Sequence, residues 1–270
     1  MNNLRGSRPR RILHILMILC IIGILISAFF LWKDSREYAE GEAAYQELRL
    51  IRESSESSAD QAGAPLQTTG KASSEENQTE QTNGIDFSSL ENINSDVVGW
   101  LFAEGTEIDY PVVRGEDNDF YLHHLFTGER NKLGSIFMDY RNHSDFSDKN
   151  TIIYGHNMKD NSMFSSLTNY KNQSYYDEFP TMLLYTPAGD FTIELFAGLV
   201  VEGTYESVQL DFKDNSDFQD YIDELKKNST FESSTLIKPD DRIVTLCTCS
   251  YEFNNARYAL YGKLTPIGTD

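Results

Sequence analysis

The stretch RIVTLCTCSYEFNNARYALYGKL, residues 242–264, contains two β-like runs separated by a seven-residue loop. Both runs are rich in the β-branched and aromatic residues that favour strands. If the runs pair as an antiparallel hairpin, Cys249 at the end of the first faces the same end of the sheet as Arg257 at the start of the second. The stretch therefore predicts a β-rich domain that presents a thiol and a guanidinium at one rim.

Cys247 and Cys249 are two of only three cysteines in the chain. A disulfide between them is unfavourable, because residues i and i+2 of a strand lie about 6.6 Å apart, at the far end of what a disulfide spans. Zinc would need further ligands at a recognised spacing, and the sequence offers none, so no metal site is predicted. Burial is favoured for Cys247, since free cysteine is among the most buried residue types. Cys249 ends a strand where a loop begins, which is where reactive groups are often presented.

A nucleophilic cysteine acts as its thiolate, which a nearby imidazole or guanidinium favours. Arg257 can donate hydrogen bonds to a developing oxyanion, although an arginine on a solvated strand edge is the alternative interpretation. His156 follows the β-like run NTIIYG and so lies at a strand end, which gives it a modest advantage as the base. The other histidines fit an apolar segment, aromatic packing or a surface loop: His14, His123, His124 and His143.

The first 32 residues indicate a membrane anchor. Residues 12–32 contain no Asp, Glu, Lys or Arg, and at about 1.5 Å per residue a helix of this length spans the roughly 30 Å core of a bilayer. Arginines precede this segment in the basic tail, residues 1–11, which favours a cytoplasmic N-terminus and an exported remainder. A cleaved signal peptide is the competing interpretation, but no good cleavage site follows the long apolar run.

Composition divides the rest of the chain. Residues 33–52 can continue as a helical stalk, with Tyr38, Tyr45 and Leu48 loosely on one side, although Gly41 disfavours a helix there. Residues 53–83 are rich in Ser, Glu, Gln and Thr and poor in large apolar side chains, which predicts a disordered spacer. Residues 84–270 have the size and composition of one globular domain. The net charge of -19 argues against nucleic acid as a partner.

Strand signals dominate residues 84–270, and many short strands suggest a barrel or a sandwich. A helix is predicted over residues 216–228, capped by Ser216 and carrying an apolar stripe. SSLENINSDVVGW and DNDFYLHHLF are weaker helix candidates. The fold class is therefore mainly β with peripheral helices.

The segment TLCTC matches the T-L-x-T-C signature of the sortases, the cysteine transpeptidases of Gram-positive cell surfaces. DVVGWLFAEGTEIDYPVVRGEDNDFYL, GSIFMDYRN and NTIIYGHNMKDNSMFSSL resemble class B sortases in order and spacing. The resemblance implies an eight-stranded β-barrel with Cys249 as nucleophile, His156 as general acid and base, and Arg257 as a donor to the oxyanion or substrate. Thr248, Asn157 and Tyr251 are the candidates for substrate binding, and no cofactor is implied.

The implied reaction is attack by Cys249 on the threonine carbonyl of a C-terminal sorting motif. An NPxTN-like or PxTG-like motif in an exported protein is the expected substrate. The resulting thioacyl enzyme would be resolved by an amine of a peptidoglycan precursor. A catalytic domain tethered through residues 12–32 to the extracellular face of the membrane suits this reaction.

Cys247 occupies the variable position of the signature, which is often serine in class B, and Glu252 is a candidate to orient His156. Other readings are less well supported. An L,D-transpeptidase would need an S-x-G-C motif that is missing, and a papain-like enzyme has its cysteine before its histidine. A noncatalytic adhesin or sensor module is the alternative from a different class.

Overall fold

The computed structural model describes residues 8–61, 85–203 and 208–268, and it describes no side chains for residues 8–12 and 54–61. Residues 1–7 of the predicted basic tail and residues 62–83 of the predicted spacer lie outside the described part. The chain divides into two compact units, Met1–Ala43 and Ala44–Asp270.

Helix α1 runs from Arg8 to Gln61 without interruption. Its apolar part is long enough to cross a membrane, and the side chains of residues 13–32 are exposed, which is consistent with the predicted anchor. Residues 53–61, assigned to the spacer, are instead helical. An established helix extends cheaply by one residue at a time, and no glycine or proline follows Gly41 until Gly63 and Pro65.

The compact unit that contains the barrel begins at Ala44, whereas the sequence placed the domain boundary at residue 84. Tyr45, Leu48 and Arg52 are respectively 1%, 2% and 7% exposed. These residues recur at the spacing of one helix face, so their side chains all turn to the same surface. The last part of the predicted stalk is therefore part of the folded domain.

Eight strands form one closed barrel in the order β1-β2-β3-β4-β7-β8-β6-β5, as the resemblance implied. Their bounds are β1 Val97–Phe102, β2 Asp109–Val113, β3 Ile136–Met138, β4 Asn150–Tyr154, β5 Thr181–Tyr185, β6 Phe191–Glu202, β7 Arg242–Cys249 and β8 Ala256–Pro266. Closure leaves none of these eight strands with an unpaired edge.

Pairing of β4, β7 and β8 determines where the candidate residues lie. Strand β7 pairs antiparallel with β8, and Cys249 is opposite Arg257, as the predicted hairpin requires. Strand β4 runs parallel to β7, with Tyr154 opposite Cys247. The end of β4, the end of β7 and the start of β8 therefore share one rim of the barrel.

Within the described residues, four shorter helical segments follow α1: α2 Phe87–Ile93, a 3₁₀ helix Ser165–Lys171, α3 Gln173–Glu178 and α4 Asn215–Lys227. Helix α2 confirms residues 88–93 of the helix candidate SSLENINSDVVGW, whereas residues 97–100 of that candidate belong to strand β1. Helix α4 begins one residue before the predicted start, and its N-cap is Asp214, whose carboxylate accepts from the N–H groups of Ser216 and Asp217 at 2.9 and 3.0 Å. A carboxylate satisfies these free donors and also suits the positive end of the helix dipole.

The helix candidate DNDFYLHHLF is wrong, because residues 117–126 form bends and turns with an isolated β-bridge from His124 to Arg130. The carboxylate of Asp117 accepts from the main-chain N–H groups of Asp119 and Phe120 at 2.9 and 2.8 Å. Such local side-chain bonds compete with helix formation. This turn segment carries a main-chain carbonyl that contributes to the candidate site.

Candidate active site

One cavity opens at the rim shared by β4, β7 and β8. The three residues assigned to catalysis, His156, Cys249 and Arg257, all line it. Further walls come from Asn118, Leu122, Phe137, Tyr154, Val201, Cys247 and Thr248. The fold thus brings together residues that lie 93 positions apart in the chain.

Cys249 is the last residue of β7 and is partly exposed, with a free thiol. Arg257 is the second residue of β8 and faces Cys249 across the strand pair. The hairpin therefore presents a thiol and a fixed positive charge to the same cavity. This arrangement can stabilise negative charge on a bound carbonyl oxygen.

His156 is held by a main-chain carbonyl. Its Nε2 atom lies 2.7 Å from the carbonyl oxygen of Leu122. A carbonyl can only accept, so Nε2 carries the proton and Nδ1 of the neutral ring remains as the acceptor. Burial lowers the pKa of His156, and the positive charge of Arg257 acts in the same direction. The imidazole is therefore neutral at neutral pH and able to take a proton at Nδ1.

Three hydrogen bonds extend the pairing of β4 and β7 beyond the last residue of β4. The N–H of Gly155 donates to the carbonyl of Cys247 at 3.1 Å. The hydroxyl of Thr248 donates to the carbonyl of Gly155 at 2.8 Å. The side-chain amide of Asn157 donates to the carbonyl of Cys249, also at 2.8 Å. These bonds fix the residues on either side of His156 to the strand that carries Cys249.

Thr248 and Asn157, which were predicted to bind substrate, therefore bind main-chain carbonyls with their side chains. Thr248 is 2% exposed. Thr248 also lines the cavity. Tyr251, the third predicted substrate-binding residue, is 75% exposed, and its hydroxyl lies 3.5 Å from the carbonyl of Asn157.

Cys247 is buried beneath the site, as its position in the apolar run predicted. Burial raises the pKa of its thiol to about 12, although the charge of Arg257 opposes the change. Cys247 is therefore a protonated thiol at neutral pH. Both cysteines are free, in agreement with the geometric argument against a disulfide.

Glu252 does not orient His156. Its carboxylate instead pairs with Lys171 and accepts from the hydroxyl of Ser250 at 2.5 Å. The ammonium of Lys171 also donates to Ser250 at 2.8 Å. The hydrogen bond from Lys171, followed by that from Ser250, lowers the pKa of Glu252 to about 2. This network ties the β7–β8 loop, which joins Cys249 to Arg257, to the end of the 3₁₀ helix.

A buried carboxylate that the sequence analysis did not single out supports another wall of the cavity. Asp139 is fully buried and accepts from the Tyr154 hydroxyl at 2.9 Å and the Asn118 amide at 3.0 Å. Burial alone would raise the pKa of Asp139, but two side-chain bonds from Arg141 at 2.8 Å outweigh it and the pKa is lowered. The only sequence signal for Asp139 was that the segment FMDYRN, which contains it, resembles class B sortases.

Metal chemistry has no evident ligand set in the described part of the chain. No group of three or more His, Cys, Asp or Glu side chains there is arranged to hold an ion.

Comparison with known proteins relates this arrangement to a family. No family model matches the chain. Sortase B of Listeria monocytogenes is 41% identical over 177 residues, which cover 65% of this chain and 72% of that protein. Sortase B of Staphylococcus aureus is 36% identical over 183 residues, which cover 67% of this chain and 75% of that protein. The chain belongs to the sortase B family.

Solved sortase B structures share the fold. The S. aureus sortase B–substrate complex is 30% identical with a TM-score of 0.73, covering 86% of this chain and all of that one. Clostridium perfringens sortase B is 37% identical with a TM-score of 0.63, covering 67% of this chain and all of that one. The chain is accordingly a cysteine transpeptidase of the sortase B type, built on a closed eight-stranded barrel.

Proposed function

We propose that this sortase B cleaves a C-terminal sorting motif after threonine through a thioacyl intermediate on Cys249 and transfers the product to an amine of a peptidoglycan precursor. The observation that carries the proposal is the placement of Cys249 opposite Arg257, with His156 lining the same cavity. A thiol, a proton carrier and an oxyanion donor are the groups that acyl transfer requires.

The first half of the reaction begins with a proton transfer. The Cys249 thiol gives its proton to Nδ1 of neutral His156, and the sulfur attacks the threonine carbonyl carbon. Arg257 stabilises the negative charge that develops on the carbonyl oxygen. The carbon–nitrogen bond then breaks, and His156 returns its proton to the leaving amine. The sulfur is left as a thioester and the histidine is again neutral.

The second half reverses these roles. An incoming amine attacks the thioester, and His156 removes the proton that the nitrogen loses. The carbon–sulfur bond breaks, and the sulfur recovers a proton from the histidine. The new amide joins the sorted protein to the acceptor, and the enzyme returns to its starting state.

The location that we propose for the domain fits this exchange. An anchor at residues 12–32 with a cytoplasmic N-terminus places the barrel on the extracellular face of the membrane, where exported proteins and lipid-linked precursors meet. The S. aureus relative has been solved as a substrate complex, which supports a substrate-binding role for this chain. NPxTN-like and PxTG-like peptides are the substrates that we propose to test.

The test uses the full chain in detergent micelles with a panel of these peptides and an amine acceptor. Mass spectrometry should show cleavage after threonine and an amide product. Cys249→Ala should abolish both, whereas Cys247→Ala, a matched loss of a thiol two residues away, should retain cleavage. Equal turnover by Cys249→Ala and the unaltered chain would contradict the proposal.

A further inference from the structure

We propose that Tyr45, in the membrane-proximal helix, is a positioning residue for His156, so that the docked end of α1 is part of the active-site support. The docked end comprises residues 44–53. This inference rests on the proposed role of His156 as the proton carrier. Contacts from Tyr45 reach the histidine by two routes.

The first route passes through Gly134. The Tyr45 hydroxyl donates to the carbonyl of Gly134 at 2.5 Å and lies 3.3 Å from the hydroxyl of Ser135. Tyr45 is 1% exposed, so no solvent competes for this bond. The hydroxyl therefore fixes the main chain at residues 134 and 135 from the helix side.

Gly134 in turn lies against the group that holds the histidine. An added Cβ at Gly134 would come within 2.8 Å of the Leu122 carbonyl oxygen and 3.1 Å of Cδ2 of His156. That same carbonyl accepts the hydrogen bond from His156 Nε2. Gly134 also has a φ of +59°, which favours glycine. A shift of the Gly134 main chain would therefore displace both the ring and its acceptor.

The segments that carry these groups are themselves joined. The N–H of Ser135 donates to the carbonyl of Tyr121 at 2.8 Å, and the N–H of Asn131 donates to that of His123 at 3.0 Å. The carbonyl of Leu122 lies between these two links. Anchoring one segment through Tyr45 consequently restrains the other.

The second route passes through Tyr110. The Tyr45 ring packs edge-to-face on Tyr110, with centroids 5.2 Å apart. The hydroxyl of Tyr110 accepts from the N–H of Met163 at 3.0 Å, and Met163 forms a β-bridge with Asn157, the neighbour of His156. Tyr45 thus supports His156 in two ways. One route holds the Leu122 carbonyl that accepts its hydrogen bond, and the other holds Asn157, its neighbour in the chain.

The experiment compares Tyr45→Phe with Tyr170→Phe in the full chain in micelles. Tyr170 is an equally buried tyrosine whose hydroxyl donates to the main-chain carbonyl of Phe179 at 2.8 Å. Each variant loses one hydroxyl and keeps its ring. We expect Tyr45→Phe to lower kcat about tenfold with little change in KM, since small misplacement of a catalytic group is costly. Tyr170→Phe should keep kcat within about twofold while losing similar thermal stability.

A second measurement does not depend on turnover. Nitrogen NMR of ¹⁵N-histidine-labelled chain reports which ring nitrogen carries the proton, and His156→Gln assigns the signal. The unaltered chain should show His156 protonated at Nε2, and Tyr45→Phe should show a mixture of the two neutral forms. If no peptide is cleaved by any variant, the proposed function fails while this measurement still decides the role of Tyr45. An unchanged His156 spectrum in Tyr45→Phe, or an equal loss of kcat in both tyrosine variants, would overturn the inference.

Discussion

The side-chain amide of Asn157 donates a hydrogen bond to the main-chain carbonyl of Cys249 at 2.8 Å. This bond connects the residue after the candidate base to the candidate nucleophile itself. It spans two strand ends that would otherwise be free to move apart beyond the last main-chain pair. The relative position of thiol and imidazole therefore depends on an amide that contacts neither reacting group.

Replacing Asn157 with alanine should lower kcat/KM about tenfold, because loss of the bond lets the nucleophile and base separate by a fraction of an ångström. Steady-state peptide cleavage measures this. Asn228→Ala is the matched control, since the Asn228 amide also donates to a main-chain carbonyl, that of Glu224 at 3.0 Å, but at the end of α4. Equal activity in the two variants would show that the Asn157 bond does not position the site.

The buried thiol of Cys247 should make stability depend on alkaline pH. Its pKa is raised by burial from 9.0 to about 12, so the folded state favours the protonated form. This stabilising contribution is present below pH 9 and is lost as the pH rises toward 12, by up to about 1.4 kcal/mol per pH unit. The thermal midpoint of the unaltered chain should therefore fall more steeply above pH 9 than that of Cys247→Ala. Parallel curves would contradict a buried, protonated Cys247.

His156 and His143 should titrate on opposite sides of the ordinary histidine value. Burial lowers the pKa of His156, whereas the hydrogen bond to Asp148 raises the pKa of His143. The contribution of neutral His156 to stability is present above pH 6.5 and is lost as the pH falls through its lower folded value. Histidine NMR titration, assigned with His156→Gln and His143→Gln, checks both directions. A His156 midpoint above 6.5 would be inconsistent with its buried setting.

The Lys171–Glu252–Ser250 network should hold the β7–β8 loop against the end of the 3₁₀ helix. Lys171→Met and Glu252→Gln each remove one partner, so each should speed protease cleavage within residues 250–255 and lower kcat/KM. Because the two side chains act on one another, the double variant should be no worse than the more severe single one. Lys227→Met at the end of α4 is the control and should leave loop cleavage unchanged. Fully additive losses would show that the two residues act independently.

The hairpin at residues 242–264 could be predicted from sequence because its information is local. Alternating β-branched and aromatic residues define both strands, and a short connection makes them antiparallel neighbours. The opposition of Cys249 and Arg257 followed directly from this pairing. Placing His156 beside this hairpin required the family resemblance, because no local sequence pattern shows that β4 lies parallel to β7.

Other parts of the site depend on contacts that sequence patterns do not encode. The acceptor for His156 is the main-chain carbonyl of Leu122. A main-chain carbonyl has no side-chain signature, so sequence alone points to an acidic side chain such as Glu252. The packing of Tyr45 depends on the surface of the barrel domain that faces it. The apolar residues on one side of α1 therefore predicted a helical stalk but not the surface against which it packs. In the sequence Asp139 looks like an ordinary acidic residue of a loop. Only the fold brings hydrogen-bond donors around its carboxylate.

The most direct test of the central claim is the mass of the enzyme during turnover. The full chain should be mixed with a cleavable sorting peptide in the absence of acceptor amine, quenched in acid and analysed by intact and fragment mass spectrometry. A thioester between the peptide's threonine carbonyl and Cys249, which disappears when an amine is added and is absent in Cys249→Ala, is the predicted result. Peptide cleavage that leaves no adduct on Cys249 at any time, and that proceeds unchanged in Cys249→Ala, would contradict the account.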